Sequence, residues 1–184
     1  MFPVVDPIAV VPYDAGWSAA FLVVARRLRG LLGSIALRVD HIGSTAVFGL
    51  DAKPVIDVQV SVAALEPHDI FSRPLKGGGF VFDPENPERT KRYFREPPGE
   101  RRTHIHVRRA GSFSEQLALL FRDYLRQNGE RAKSYGELKR VLAVEFRHDR
   151  QGYVDAKGAF FWETIRLADA WAQGTGWEPG PSDA

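Results

Sequence analysis

The sequence predicts an α+β fold in which the strands of the first half are followed by a mainly helical C-terminal half. Three late segments repeat apolar residues at helical spacing, whereas earlier segments alternate apolar and polar residues, as half-buried strands do. The chain has 184 residues, of which 44% are hydrophobic and 26% are charged, so it can bury one good core. We therefore expect a single domain over residues 1–173.

The first half is predicted to contain one helix and several strands. Residues 17–32 place apolar side chains on one helical face, and Gly33 ends this helix. Residues 35–42 then form a strand that ends at a Gly-Ser turn. Further short strands are expected at residues 79–82 and around Tyr93, within a segment rich in Gly, Pro and charge.

Two of the predicted strands carry polar residues inside apolar runs. In residues 54–62 (PVIDVQVSV), Asp57 and Gln59 lie on one face, opposite Ile and Val side chains. In the segment RTHIHVRR, His104 and His106 also share one face. A buried carboxylate without a partner is costly, so an aspartate within an apolar strand indicates a function.

The last third is predicted to be helical. Ser112 and Glu115 have the spacing of a capping box, and the helix that follows them stops at Asn128 and the glycine after it. Two more helices are expected at residues 130–146 and 153–171. Residues 174–184 have the Gly/Pro-rich, polar composition of a disordered tail.

Composition excludes several classes of function. The net charge of +2 does not favour nucleic acid, and the absence of cysteine excludes thiolate metal sites and cysteine nucleophiles. The N-terminal stretch MFPVVDPIAVVPYD lacks the features of a signal peptide, and no apolar run reaches about 18 residues, the length that spans a membrane. A cytoplasmic protein that does not enter a membrane is the expectation.

The Gly-Ser turn has the chemistry of a phosphate site. Main-chain N–H groups at a turn that opens a helix point at anionic oxygens, so we expect Gly43, Ser44 and Thr45 to bind phosphate. With Asp57 on the neighbouring strand, a divalent cation could bridge protein and phosphate, with Asp57 and Ser44 as the catalytic pair. The alternative is a tight strand-to-helix turn without a ligand.

Seven segments resemble the GrpB family, and together they run from about Val10 to Trp171. They are VVPYDAGW, RVDHIGSTAVFGL, AKPVIDVQVSV, RRTHIHV, LLFRDYLR, YGELKRVLA and YVDAKGAFF. The resemblance implies a nucleotidyltransferase-like mixed sheet flanked by helices and a nucleotide-related role. It also implies a link to dephospho-coenzyme A kinase, to which some family members are fused.

The sequence departs from the superfamily signature at two sites, and from the GrpB pattern at Asn128, where relatives usually carry His-Pro. Gln59 stands at the position where the signature has its second carboxylate. The strand expected to carry the third carboxylate has His104 and His106 instead. Two-metal transfer needs more anionic ligands than this. We therefore expect one divalent cation (Mg, Mn or Zn) on Asp57, His104 and His106, the alternative being ordinary histidines on a polar strand face.

The remaining candidate residues are basic or aromatic. Forked guanidinium groups could clamp phosphate oxygens, and the resemblance implies that a helical tyrosine and lysine one turn apart contact a triphosphate. The alternative is that these residues lie on solvated surfaces. The predicted phosphate-binding residues of this group are Lys53, Arg92, Arg102, Tyr135, Lys139 and Lys157.

The sequence favours two functions. In the first, the domain binds a nucleoside triphosphate or related phosphorylated ligand and transfers a nucleotidyl group. In the second, it is a catalytically inactive module that binds a nucleotide or coenzyme A precursor and acts through a protein partner. Nucleic-acid binding is the weakest candidate, because the basic segment has no recognisable motif or aromatic platform.

Overall fold

The computed structural model describes residues 7–184, which are built around one five-stranded mixed sheet. The order of the strands is β1-β2-β5-β4-β3; β2 and β5 are parallel, and the other neighbours are antiparallel. The strands are β1 (Arg38–Ile42), β2 (Ile56–Val62), β3 (Val81–Asp83), β4 (Lys91–Arg95) and β5 (Thr103–Arg109). The helices are α1 (Gly16–Leu32), α2 (Asp69–Gly77), α3 (Phe113–Gln127), α4 (Gly129–Glu145), α5 (Arg150–Ala156) and α6 (Gly158–Thr175).

This architecture confirms the predicted fold class, a mixed sheet flanked by helices with a helical C-terminal half. The first six residues, which begin the predicted domain and the stretch compared with a signal peptide, lie outside the described range. Within residues 7–184, no helix is both long and apolar enough to cross a membrane.

One face of the sheet packs on α1 and α2. Helix α1 buries side chains every three or four residues, and it ends at Gly33, whose φ of 52° suits a residue without a side chain. Each large apolar side chain that is fully buried in this way stabilises the fold by roughly 1.5–3 kcal/mol. The buried residues of α1 are Trp17, Phe21, Ala25, Leu28 and Leu32.

The other face of the sheet meets the helical half, and Arg122 of α3 joins the two. This buried guanidinium donates to the main-chain oxygen of His41 in β1 at 3.2 Å and lies 3.7 Å from the Asp40 carboxylate. It also donates to Asp123 at 2.7 Å. A buried cation needs such partners, so Arg122 holds the helices in place over the sheet.

The structure differs from the predicted helices in three ways. Helix α2 was not expected, because Pro74 lies inside it. The predicted helix 153–171 is two helices, α5 and α6, which are separated at Lys157. The Ser112 side chain accepts from the Glu115 N–H as predicted, whereas the Glu115 carboxylate turns to Ser61 of β2.

The tail predicted to be disordered lies against the domain instead. Helix α6 continues to Thr175, and the residues after it return to the edge strand β1. The Ser182 hydroxyl oxygen accepts from the N–H of Val39 at 2.8 Å, and the Asp183 carboxylate accepts from Arg122 at 2.8 Å. These polar side chains provide hydrogen-bond partners for main-chain groups of the edge strand and for a buried cation. The polar composition that predicts disorder therefore holds the tail against the domain.

Candidate functional site

A cavity of about 400 Å³ lies between the sheet and the helical half, and it gathers most of the predicted site residues. Its lining comes from the turn after β1, from β2 and β5, and from α4, α5 and the junction before α6. Ten predicted residues line it: Gly43, Ser44, Thr45, Lys53, Asp57, His104, His106, Tyr135, Lys139 and Lys157.

The Gly-Ser turn forms one wall of this cavity. Gly43 has φ 71° and ψ −171°, a conformation essentially restricted to glycine. A Cβ atom at this position would lie 2.7 Å from Oδ2 of Asp57. The turn opens only a single 3₁₀ turn, Ser44–Ala46, rather than the expected helix, so no helix dipole acts here.

Without a helix dipole, the groups at this turn that could donate to phosphate are individual main-chain N–H groups. Within residues 7–184, the main-chain N–H groups of Ser44 and Thr45 have no hydrogen-bond acceptor. Unpaired N–H groups beside a cavity are available to an anionic ligand.

His41 supports the turn. The Thr45 hydroxyl donates to the main-chain oxygen of Val55 at 3.2 Å, so it can only accept from Nε2 of His41, at 3.0 Å. The His41 ring stacks on Phe21 with centroids 4.7 Å apart. Burial, with the nearby Arg126, lowers the pKa of His41 to about 4, and the neutral ring holds Thr45 in place.

Asp57, His104 and His106 form a compact cluster at the base of the cavity. The parallel pairing of β2 with β5 sets Asp57 beside His104 and Gln59 beside His106 on one face. Nδ1 of His104 lies 3.2 Å, and Nε2 of His106 3.3 Å, from the same Asp57 oxygen, Oδ1. Such a group of three ligand atoms within 4.8 Å of one another could hold a metal ion.

The charges within this cluster are set by burial and by the histidine contacts. Burial favours the neutral acid, yet the hydrogen bonds from His104 and His106 outweigh it and hold the pKa of Asp57 well below its usual range. Burial lowers the pKa of His106 to about 4. The contact with Asp57 raises this pKa, but it offsets the effect of burial only in part. At neutral pH Asp57 is therefore a carboxylate and His106 a neutral imidazole.

Gln59, at the predicted position of a second carboxylate, takes no part in this cluster. Its side-chain amide is fully buried; Oε1 accepts from Nη1 of Arg108 at 2.8 Å, and Nε2 donates to the main-chain oxygen of Glu115 at 3.3 Å. The amide is thus a structural link between β2, β5 and α3. The cluster has one carboxylate, as the sequence predicted.

Three lysines, Lys53, Lys139 and Lys157, also line this cavity. Nζ of Lys157 lies 4.3 Å, and Nζ of Lys53 5.0 Å, from the centre of the Tyr153 ring, while Lys139 lies 4.6 Å from the Tyr135 ring. Within residues 7–184, none of the three forms a salt bridge with a carboxylate. Burial, with the other lysine charges, lowers the pKa of Lys139 to about 7 and that of Lys157 to about 8.

Two predicted residues lie outside the cavity. Arg92 pairs with Glu66 and faces the opposite side of the sheet from Tyr93, because neighbouring residues of a strand alternate. Arg102 lines a smaller adjoining cavity of about 210 Å³ together with Lys53 and His104. Its Nε atom is buried without a hydrogen-bond partner in the described chain.

Two aromatic residues of the site were not predicted. Tyr153 of α5 lies under Lys53 and Lys157, and Tyr93 of β4 contacts the rings of His104 and His106 with centroids 5.5 and 5.4 Å away. The alternation within KRYFR places Tyr93 on one strand face, but only the pairing with β5 identifies which residues it meets.

Comparison with known proteins places this arrangement within a family. A family model described as "GrpB protein" matches residues 7–166. The UPF0157 protein PA4798 of Pseudomonas aeruginosa is 38% identical over 155 residues, which cover 83% of this chain and 64% of the relative. The UPF0157 protein YqkA of Bacillus subtilis is 30% identical over 167 residues, which cover 91% and 49%.

A further relative is called "Dephospho-CoA kinase" in Mycolicibacterium paratuberculosis and is 34% identical over 199 residues, covering 94% of this chain and 49% of the relative. This chain therefore spans about half to two thirds of the length of these three relatives. The crystal structure of the conserved protein GrpB from Enterococcus faecalis superposes with a TM-score of 0.80 at 34% identity, covering 89% of this chain and 99% of that chain. The family match over most of the chain, together with the shared fold, shows that this protein belongs to the GrpB family.

Proposed function

We propose that the cavity binds a nucleoside triphosphate or a related phosphorylated ligand. The observation that carries this proposal is the set of three lysines, Lys53, Lys139 and Lys157, which line one cavity without a carboxylate partner in the described chain. Lys139 donates to the main-chain oxygen of Asp51, but three partly buried cations without a carboxylate partner are still costly to hold together, and phosphate oxygens would offset that cost. The unpaired N–H groups of Ser44 and Thr45 add neutral donors to the same cavity.

The cluster of Asp57, His104 and His106 fits a single divalent cation. Ligand atoms bound tetrahedrally at about 2.0–2.1 Å from one ion lie about 3.3–3.4 Å apart. The separations of 3.2 and 3.3 Å between Asp57 and the two imidazoles agree with that geometry. One carboxylate and two imidazoles favour Zn or Mn over Mg. Such an ion would supply Lewis acidity at the phosphoryl group.

The resemblance to nucleotidyltransferases supports a transfer reaction at this site. In that reaction a hydroxyl or amine of an acceptor forms a bond to the α-phosphorus. The bond between that phosphorus and the oxygen that bridges the α- and β-phosphates breaks. Pyrophosphate leaves with the electron pair, and the acceptor releases its proton to water. The lysines would neutralise the departing phosphates, and Ser44 would hold them by hydrogen bonds.

One observation favours the alternative, a module that binds a nucleotide or coenzyme A precursor without transforming it. Gln59 is committed to Arg108 and Glu115, so Asp57 is the one carboxylate of the cluster. In this case the domain would act through a partner, and the relative called dephospho-CoA kinase suggests an enzyme of that kind.

Calorimetric and thermal-shift titrations with ATP and inorganic tripolyphosphate, with Mg²⁺, Mn²⁺ and Zn²⁺ varied independently, test the binding proposal. A ligand at a hundredfold excess over its dissociation constant stabilises the native state by about 2.7 kcal/mol, which is readily measured. Lys157→Gln should weaken tripolyphosphate binding at least about tenfold. Lys133→Gln is the matched control, because Lys133 is exposed on α4, away from the cavity.

Equal binding by these two variants, or the absence of any response to phosphate compounds, would contradict the proposal. Release of pyrophosphate from ATP separates the two functions. A transferase loses this release in Asp57→Asn while it keeps nucleotide affinity, whereas a binding module releases none in the wild type.

A further inference from the structure

A smaller cavity, of about 210 Å³, adjoins the cavity lined by the three lysines, the phosphate cavity. It lies between residues 7–9, the segment before β2, the start of β5 and the first residue of α5. Lys53, Val55 and His104 line both cavities, so the two are continuous parts of one region. A single ligand can therefore extend from the phosphate cavity into the smaller one.

The smaller cavity has an excess of positive charge. Besides the imidazole of His104, its charged lining residues are Lys53, Arg102 and Arg150, and no carboxylate lines it. Among the described residues, none of these three cations forms a salt bridge with a carboxylate. Burial lowers the pKa of Lys53, and the charges of Arg150 and Arg102 add to this effect, whereas Asp57 opposes it. Even with Asp57 of the phosphate cavity set against the three cations, two positive charges remain.

Arg102 also has a polar atom that lacks a partner. Its Nε atom is buried, and no described residue accepts a hydrogen bond from it. Glu96, the carboxylate just after β4, lies 3.4 Å from Arg95 and accepts from the Thr103 N–H at 3.0 Å instead. A buried guanidinium N–H without an acceptor is costly, and an anionic oxygen in the smaller cavity would satisfy it.

The size of the smaller cavity suits one group of a ligand rather than a whole ligand. Pockets for drug-sized molecules enclose about 300–1,000 Å³. The cavity at Arg102 has only about 210 Å³. Lys53 lines both cavities, and two anionic oxygens on opposite sides of one ammonium group lie about 6 Å apart, because each hydrogen bond is about 2.9 Å long. Two phosphates on different carbons of one ribose can reach that spacing.

We propose that the smaller cavity is a second anion subsite, which takes a phosphate that the ligand carries apart from its 5′ phosphate chain. The ligand class is then a nucleotide with a further phosphate on its ribose. The 5′ chain lies against Lys139 and Lys157, an assignment that rests on the proposed function. The separate phosphate lies against Arg102 and Arg150, where a forked guanidinium can donate two parallel hydrogen bonds to its oxygens.

Calorimetric titration with adenosine 3′,5′-bisphosphate, AMP and ADP tests this inference. The wild type should bind the bisphosphate at least about tenfold more tightly than AMP. Arg102→Gln should remove that gain and change the affinity for ADP, an isomer of the bisphosphate, by less than about threefold. Arg150→Gln, at an exposed position, should reduce the same gain. Arg101→Gln is the matched control and should keep the gain, because Arg101 is exposed and lines a different cavity.

Tripolyphosphate titrated into the same proteins reports separately on the phosphate cavity. With tripolyphosphate bound as expected, three results would overturn this inference and leave the proposed function standing. They are equal wild-type affinities for the bisphosphate and AMP, a gain that survives in both Arg102→Gln and Arg150→Gln, and an equal loss of bisphosphate and ADP affinity in Arg102→Gln. A gain that depends on Arg102, without tripolyphosphate binding, would support the second subsite and overturn the proposed function.

Discussion

The missing side chain of Gly43 leaves space for the Asp57 carboxylate as well as for a ligand. A Cβ atom there would meet Oδ2 at 2.7 Å and Cβ of Asp57 at 3.1 Å, so any side chain displaces the group that both histidines contact. The same residue also has a conformation that other residues avoid. A single missing side chain thus sets the geometry of the candidate metal ligands.

Gly43→Ala should therefore weaken binding of Zn²⁺ or Mn²⁺ at least about tenfold and lower the unfolding free energy by about 1–3 kcal/mol. Calorimetric titration and urea denaturation measure the two effects. Gly49→Ala is the control, since Gly49 has φ 73° but a Cβ atom there meets nothing within 4 Å. It should lose stability but keep metal affinity, and equal metal affinities in the two variants would contradict the role of Gly43.

The lowered lysine pKa values predict a pH trend for anion binding. Raising the pH neutralises Lys139 at about 7 and Lys157 at about 8, so affinity for tripolyphosphate should fall from pH 6.5 to about 9. The ionisation of the phosphate itself would strengthen binding over part of this range, so the direction is diagnostic. Lys139→Arg keeps its charge and should flatten the lower part of the profile.

Folding stability should change in the opposite direction over the same lysine titrations. A lysine whose pKa is lower in the folded than in the unfolded chain makes the unfolded state bind more protons between the two values. Its contribution to stability therefore increases as the pH rises from about 7 towards about 10, the usual lysine pKa.

An affinity for tripolyphosphate that rises above pH 8 would contradict the assignment of the lysines to phosphate.

The sequence predicts the position of a side chain correctly where the alternation of residues along a strand alone decides which face of the sheet that side chain lies on. Asp57, His104 and His106 follow from alternation within strongly apolar strands, and the parallel register brings them together. Arg92 was misplaced because its charged segment gives no signal for which face is buried. Tyr153 was missed because its role depends on two lysines from distant elements.

At the scale of elements, the short helix α5 delivers part of the cavity wall. Its side chains include Tyr153, and Lys157 follows at its end. The helix is held by its N-cap, where the Asp149 carboxylate accepts from the Gly152 N–H at 2.9 Å. A Cβ atom on Gly152 would lie 2.4 Å from Oδ2 of Asp149 and 2.6 Å from the Phe146 ring. This glycine allows the close approach that positions α5.

Gly152→Ala should displace α5, lower the unfolding free energy by about 1–3 kcal/mol and weaken tripolyphosphate binding several-fold. Gly30→Ala provides the contrast, because Gly30 lies within α1 and a Cβ atom there meets nothing within 4 Å. That substitution should stabilise the protein by up to about 1 kcal/mol. Calorimetry and denaturant unfolding of both variants give the comparison, and unchanged stability in Gly152→Ala would contradict the steric argument.

The long elements were predictable from periodicity, and the break between α5 and α6 was not. The apolar spacing from Tyr153 to Trp171 continues across Lys157, and Gly158 alone does not end a helix, so the two helices look like one. Helix α2 was missed because a proline usually argues against a helix interior. In both cases tertiary packing decides what the local sequence leaves open.

Across the whole molecule, Asp183 links elements that are far apart in sequence. Its carboxylate accepts from the His41 N–H in β1 at 2.9 Å and from Arg122 in α3 at 2.8 Å. Composition alone could not predict this, because the tail has few apolar residues, and its order depends on a buried arginine and an edge strand.

Asp183→Ala should lower the unfolding free energy by about 1–3 kcal/mol, since a buried guanidinium loses a charged partner. Urea denaturation measures the change. Asp169→Ala removes an exposed carboxylate on α6 and should change stability by less than about 0.5 kcal/mol. Equal stabilities of the two variants would show that the tail contact contributes nothing.

The parallel pairing of β2 with β5 also determines when the candidate site can exist. Asp57 and His104 are 47 residues apart, and the intervening chain must fold into α2, β3 and β4 before or while the two strands meet. Closing a loop of this length costs entropy before its contacts reward it, which makes such pairings slow steps in folding. During synthesis, a chain that has not yet reached His106 contains the Gly-Ser turn and Asp57 without both histidines, so the three candidate metal ligands can come together only after β5 has been made.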